Sequence, residues 1–390
     1  MAFAGRIEKL LRMGALICVA FFAITILVTP DTAHAKYASF VIDTQTGRIL
    51  HQINADTRNY PASLTKMMTL YMIFDGLETG KLKLNKSLKV SARAARQPSS
   101  KLGLRKGQKL TVKQAILALV TKSANDVATA VAENLAGSER NFALAMTAKA
   151  RKIGMNRTNF RNASGLPNRG QLSTARDMAT LARRLMEDFP QYYHYFSTKT
   201  FSYGGKKHKN HNELLRSYHG ADGIKTGYIR ASGFNLVASV ERDGRRIIGV
   251  VFGGDSSRSR NRHMAKLLDK GFAKINPALV KTAATTKTAK KKKARADSKQ
   301  QWGVQVGAYL SPKPARAIAE KAIAKAPDYL IDGFVKVVPL KKGVKKPVYR
   351  ARILGLTKRQ AYRACRTLKR RKINCMELRV KEPMQLASAQ

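Results

Sequence analysis

Acidic side chains are scarce in this chain. Its 390 residues hold 24 Asp and Glu against 74 Lys and Arg, a formal net charge of +50 at pH 7. An excess of that size points to polyanionic partners: nucleic acid, anionic membrane or cell-wall polymer. The compartment decides among them. Long apolar runs are also missing after residue 35, which excludes a bilayer-spanning helix in the body of the protein. One apolar stretch stands before it, roughly Met13 to Val28, behind Arg6, Lys9 and Arg12 and ahead of Ala33-His34-Ala35. That order is an export signal, and cleavage is expected after Ala35. The alternative is an uncleaved anchor, and both place the body outside the cytoplasm. Cysteine is limited to Cys18, Cys365 and Cys375. Cys18 leaves with the signal. Cys365 and Cys375 remain as an even pair in an oxidising compartment, free to form a disulfide or to stay as two buried thiols.

What is present divides into parts. Apolar residues make up 44% of the chain, and residues 36–275 show well-spaced strand and helix patterns. Phe40 to Asp43 and Arg48 to His51 flank Thr44-Gln45-Thr46-Gly47, a hairpin signal. Helices are expected from Ser63 through Ile73, from the N-cap Thr111 through Val120, and from Asn125 to Gly137. A helical middle section is expected to continue to about Met186. Two strong strands, Phe234 to Val240 and Ile247 to Phe252, turn at Arg242-Asp243-Gly244. A sheet built from both ends of this part around a helical insert is an α/β (α+β) layered design. Residues 276–301 are Lys-rich without periodicity and read as a basic linker. Residues 302–381 regain periodicity, and 382–390 form a tail.

Three short motifs carry chemistry. Ser63 and Lys66 stand three apart, which on a helix puts hydroxyl and amine on one face. A serine needs a base to take its proton, and a lysine serves if burial or a neighbouring cation lowers its pKa. Ser123-Ala124-Asn125 falls at a helix break, where Ser123 can relay a proton and Asn125 can hold a peptide backbone; a plain capping role is the alternative. Lys225-Thr226-Gly227 offers a cation and a hydroxyl for a carboxylate, with no side chain at Gly227 where substrate must approach. Each alone is weak. Their order gives them weight.

That order is the signature of penicillin-binding proteins and class A β-lactamases. Pro61 to Met68, Lys122 to Asp126, Ser173 to Met178, Asp222 to Gly227 and Gly233 to Ala238 resemble the low-molecular-mass D-Ala-D-Ala carboxypeptidases of serine peptidase family S11. The resemblance implies a β-lactamase/transpeptidase-like domain over 36–275 that removes the terminal D-alanine from peptidoglycan stem pentapeptides and is inhibited covalently by β-lactams. It implies Ser63 as nucleophile, Lys66 as base, Ser123 as proton relay, and Asn125, Lys225, Thr226 and Gly227 as substrate contacts. The backbone N–H groups of Ser63 and Tyr228 would form the oxyanion hole. Arg260 follows Gly253-Gly254 at the spacing of a carboxylate-binding arginine, beside Arg258 and Arg262. No cofactor is implied.

Rivals are weighed by what is missing. The loop Asn162 to Asn168 has no glutamate to drive the deacylation a class A β-lactamase needs. A D,D-endopeptidase shares every catalytic residue and stays open, as does a wall-binding protein of weak activity. His194, His208, His211 and His219 lie in one stretch, but even with Glu213 and Asp222 they lack the spacing of a zinc set and read as surface histidines.

Residues 302–381 read as strand, helix, strand, strand, helix, strand, a ferredoxin-like βαββαβ module. Val304 to Tyr309 and Tyr349 to Gly355 are similar to the SPOR family, which implies binding to peptidoglycan glycan strands. From Trp302 to the end stand 21 Lys and Arg against 5 Asp and Glu. Few aromatics on the central strands and the export signal weigh against nucleic acid. The expectation is a periplasmic, cell-wall-associated enzyme with no transmembrane segment after cleavage.

Overall fold

The computed structural model describes residues 37–275, 302–331, 333–340 and 347–380. The expected export segment (1–35), linker (276–301) and tail (382–390) lie outside the described residues.

Strands β1 (Ala38–Asp43) and β2 (Ile49–Ile53) pair through the expected hairpin. Its turn is held by the Asp43 carboxylate, which accepts from Gln45 N–H and Thr46 Oγ1, and by Gly47 at φ +69°. A 3-10 turn, Ala62–Thr65, runs into α1 (Lys66–Glu78). Helix α2 (Val112–Thr121) starts at Thr111, whose side chain accepts from Gln114 N–H while Gln114 caps in return. Helix α3 (Asn125–Ala136) ends at Gly137, φ +71°.

The helical middle section is interrupted. Helix α4 (Glu139–Lys152) stops at Gly154, φ +90°, and α5 (Ala175–Asp188) restarts at the N-cap Thr174. Between them the chain is irregular, tied down by bridges from Asn59 to Ser173 and from Asn159 to Leu172. Gly154, Gly165 and Pro167 break the helical period there, which an uninterrupted apolar count overlooks.

Strands β3 (Ala221–Ile229), β4 (Gly233–Arg242) and β5 (Arg245–Gly254) complete a five-stranded sheet of order β2-β1-β5-β4-β3. Lys225-Thr226-Gly227 therefore lies within an edge strand, not merely ahead of the strong one. Both faces of the sheet are buried. Val237, Ile248, Val250 and Phe252 join the helical insert. Leu236, Val240, Ile247 and Val251 face α6 (Ser257–Ile275). That period of two, apolar on both sides, makes the central strands read as continuous hydrophobic runs. Helix α6 buries Met264, Leu267, Leu268 and Phe272, each contributing about 1.5–3 kcal/mol by burial. Gly249 allows the contact: a Cβ there would lie 2.6 Å from Met264 Sδ. Arg258, Arg262, Lys266, Lys270 and Lys274 recur every fourth residue as a basic stripe along the helix.

The C-terminal module follows the expected order, with one short extra helix. Strand β6 (Trp302–Tyr309), α7 (Pro312–Lys325), α8 (Pro327–Leu330), β7 (Phe334–Leu340), β8 (Val348–Leu356), α9 (Lys358–Arg370) and β9 (Met376–Arg379) form an antiparallel sheet of order β7-β8-β6-β9. The last strand is shorter than the sequence suggests. Val304, Ala351 and Ile353 pack on Ala319, Ala364 and Leu368 from the two long helices. Cys365 and Cys375 are joined in a disulfide, Cα atoms 5.1 Å apart, so the open choice between bond and thiols falls on the bond. Among the described residues no helix is long and apolar enough to cross a membrane.

Candidate active site

A cleft of about 390 Å³ opens between the edge strand β3 and the helical insert. Ser63, Ser123, Asn125, Thr226, Gly227 and Arg260 line it. Distant segments must be clamped to build it. Asn235 on β4, fully buried, donates to Tyr60 O at 3.1 Å and accepts from Gly253 N–H at 3.2 Å, fixing the turn that carries Ser63 to the sheet. Gly227 sits against the same turn. A Cβ there would lie 3.0 Å from both Pro61 O and Ser63 N.

Lys66 is fully buried one turn below Ser63. Its Nζ meets Ser63 Oγ at 3.2 Å, Asn125 Oδ1 at 2.8 Å and the Ser164 carbonyl at 2.5 Å. The Asn125 amide is oriented by its other end, since Nδ2 donates to Pro98 O at 2.9 Å. Asn125 Oδ1 and Ser164 O can only accept. A neutral Lys66 spends its two N–H donors on them, and its lone pair is left for the Ser63 hydroxyl. The neutral form is favoured: burial first, and then the Lys225 cation, push Lys66 well below the usual lysine range, against opposing pulls from Asp126 and Glu139.

Ser123 and Asn125 occupy the break between α2 and α3, as the motif predicts. Neither caps α3: the N-cap is Ala124, with no side-chain capping bond. Ser123 holds φ +59°, and its buried Oγ has no hydrogen-bond partner. An orphaned hydroxyl in a cleft is a donor waiting for a ligand. Asp126 braces the opposite wall, accepting from the backbone N–H groups of Leu102, Gly103 and Leu104.

The other end of the cleft is cationic. Lys225 is buried, with Nζ donating to Thr226 O at 3.1 Å; burial and the Arg260 charge bring its pKa to about 7. Arg260 is 3% exposed and donates to Asn235 O at 2.6 Å. Burial lowers it to about 10, with Glu213 opposing. Arg258 is exposed and Arg262 points to the C-terminal module, so packing selects Arg260 from the three. Tyr228 lies at the rim, 54% exposed, with its ring 4.3 Å from that of Phe234.

Several contributors escape sequence reasoning. The loop 162–168 contributes a carbonyl rather than a side chain. Gly165, φ +87°, is required because a Cβ would fall 1.8 Å from Ala62 O. Glu139, also unflagged, holds this loop from behind: it accepts from Ala163 N–H at 3.2 Å and pairs with Arg93 at 3.2 Å. His211, one of the histidines expected on the surface, is exposed yet lines the cleft. His194, His208 and His219 do not line it. The adjacent Asn212 donates to Gly223 O of β3 at 2.9 Å, a pairing invisible along the chain.

The chain is similar to known proteins in both of its parts. A family model described as D-alanyl-D-alanine carboxypeptidase matches residues 25–256, and one for the SPOR domain matches 298–379. The D-alanyl-D-alanine carboxypeptidase DacF of Bacillus subtilis is 34% identical over 272 residues, which span 68% of this chain and 70% of that one. DacA of Escherichia coli (strain K12) is 34% identical over 296 residues, spanning 71% and 73%. The crystal structure of penicillin binding protein 5 from Haemophilus influenzae aligns with a TM-score of 0.59 at 35% identity, over 63% of this chain and 73% of that chain. With the matched family model covering more than half of its length, this chain belongs to the D-alanyl-D-alanine carboxypeptidase family, peptidase S11, and carries a SPOR domain at its C-terminus.

Proposed function

We propose that the enzyme removes the terminal D-alanine of peptidoglycan stem pentapeptides through an acyl-enzyme on Ser63, outside the cytoplasm, with residues 36–275 as the catalytic domain and 302–381 as a wall-binding SPOR domain. The contact that carries this reading is Lys66 Nζ, desolvated, with two obligate acceptors satisfied and Ser63 Oγ at 3.2 Å.

Lys66 takes the hydroxyl proton as Ser63 Oγ attacks the penultimate D-alanyl carbonyl. The developing oxyanion sits on the backbone N–H groups of Ser63 and Tyr228. Lys225, Thr226 and Arg260 hold the terminal carboxylate. Ser123 passes the proton from Lys66 to the leaving amine, and the C–N bond breaks to release D-alanine. Asn125 orients both Lys66 and the peptide. Water then hydrolyses the ester by the same proton path in reverse. Glu139 does not line the cleft, and it is engaged by Ala163 N–H and Arg93. The class A route to rapid deacylation therefore has no candidate carboxylate at this loop, which supports slow turnover of penicillins and inhibition by them. No step calls on a metal or cofactor.

Labelled penicillin should acylate the full chain and fail to label Ser63→Ala. Free D-alanine should appear from a pentapeptide and vanish in the same variant. Labelling that survives the substitution overturns the mechanism. Cleavage of cross-linked dimers without D-alanine release from pentapeptide overturns the carboxypeptidase assignment in favour of an endopeptidase.

A further inference from the structure

The corner between β5 and α6, which carries Arg260, is covered from behind by the SPOR domain. Arg371 Nη2 pairs with Asp255 Oδ2 at 2.8 Å, while its Nη1 donates to Lys325 O at 2.8 Å. The basic stripe of α6 meets the end of α8: Arg262 approaches Asp328 Oδ2 at 3.8 Å, Lys266 donates to Asp328 O at 3.3 Å, and Lys270 donates to Ile331 O at 2.6 Å. Carbonyls at a helix C-terminus are natural acceptors for such cations. Behind these contacts, Leu267 and Phe272 of α6 and Leu330 and Ile331 of the SPOR domain belong to one buried apolar cluster. Both bodies are strongly basic, so contact between them depends on the few acids available. Asp255 on one side and Asp328 on the other are both engaged there.

This seat touches the catalytic cleft through one side chain. Arg260 lines the cleft and also a small cavity of about 20 Å³ shared with Asp255, Asp328 and Arg371. The Arg260 N–H donates to Ser256 O at 3.0 Å, and a Cβ on Gly254 would lie 2.9 Å from Arg260 Cβ. The corner is thus packed on both sides, and close-packed elements transmit shifts rather than absorb them. The Asp255–Arg371 pair is partly exposed, with side chains 61% and 34% accessible, so its contribution to folding is slight. Its consequence is geometric.

We propose that the docked SPOR domain positions the carboxylate-binding end of the catalytic cleft. Asp255 and Arg371 are positioning residues: their pair holds the β5–α6 corner, and the corner holds Arg260. Undocking weakens the grip on the substrate carboxylate and leaves the Ser63–Lys66 chemistry intact. By linkage, a wall ligand that distinguishes docked from undocked SPOR changes substrate affinity, and substrate changes that ligand's affinity by the same factor. This inference rests on the reading of Arg260 as a carboxylate ligand.

The test uses full-length Asp255→Arg, Arg371→Asp, the double exchange and Arg260→Ala, assayed on a pentapeptide and on its C-terminal carboxamide. Each single reversal should raise KM for the carboxylate peptide by about three- to tenfold with kcat nearly unchanged. It should leave kcat/KM for the carboxamide unchanged, and the double exchange should restore KM. Unchanged KM in the single variants, equal losses on both substrates, or no rescue in the double exchange overturns the inference. Arg260→Ala separates the two levels. If it raises KM for the carboxylate peptide while the reversals do not, the docking inference alone fails. If it leaves KM unmoved, the reading of Arg260 fails and the inference falls with it.

Discussion

Asn125 presents its amide oxygen to Lys66 Nζ at 2.8 Å, and the carbonyl of Pro98 at 2.9 Å from Nδ2 forbids the opposite orientation. This acceptor therefore fixes where Lys66 Nζ sits without adding a negative charge that would hold the ammonium.

Replacing that acceptor by a carboxylate should disable the base without emptying the site. In Asn125→Asp a negative charge near Lys66 Nζ favours the ammonium. Acylation by labelled penicillin at neutral pH should fall roughly 10- to 100-fold, and its pH profile should move upward by about one unit or more. A lower rate with an unmoved profile would show that Asn125 acts on the substrate and not on Lys66.

Lys225 carries a cost in stability that its chemistry requires. Its native pKa of about 7 lies below the value of about 10.4 in an unfolded chain. Between those values the native state binds fewer protons, so unfolding free energy gains as pH rises, by up to about 1.4 kcal/mol per unit from this group. Lys225→Met removes that slope. At pH 7 and below, the variant should melt higher than the parent while KM for a carboxylate-terminated peptide rises. Equal melting of both proteins across pH 6–9 would refute the burial account.

Two glycines differ in what a methyl group would meet. Gly165→Ala sets a Cβ 1.8 Å from Ala62 O at a φ of +87°, and it should cost about 2–4 kcal/mol by chemical denaturation. Gly227→Ala meets Pro61 O and Ser63 N at 3.0 Å, so β3 must yield by only a few tenths of an ångström. Acylation should slow roughly tenfold or more with little loss of stability, because about an ångström of misplacement at the nucleophile already costs about 100-fold.

The Cys365–Cys375 bond closes a loop of sequence separation 10 within the SPOR domain. A loop of that length is worth about 3 kcal/mol in the chain-entropy account. Reductant should lower that domain's denaturation midpoint accordingly. A Cys365→Ala/Cys375→Ala double variant should show the same loss and no further response to reductant. A parent protein indifferent to reductant would contradict the bond.

Much of the catalytic domain was legible because it depends on local signals. Thr111 announces α2, Gly137 ends α3, and Asp243-Gly244 turns β4 into β5. The interruption between α4 and α5 is not legible, because apolar spacing continues across Gly154 while the helix does not. The strand character of Lys225-Thr226-Gly227 is hidden in the sequence because two glycines, poor strand formers, sit inside β3. Its strand is specified by pairing with β4 and by contact with the Ser63 turn.

The sequence alone determined the chemistry: which side chains exist, in what order, behind an expected export signal, and with a large excess of basic over acidic groups. Side-chain identity sets what can donate, accept or ionise, and chain order is part of the motif itself. Only the tertiary structure decided how those groups are tuned. The burial of Lys66 and Lys225, the choice of Arg260 over Arg258 and Arg262, the Ser164 carbonyl and the brace of Asn235 all arise between segments far apart in the chain. Desolvation and Coulomb interaction depend on distance and burial in space, and neither quantity is written in the spacing of residues along a chain.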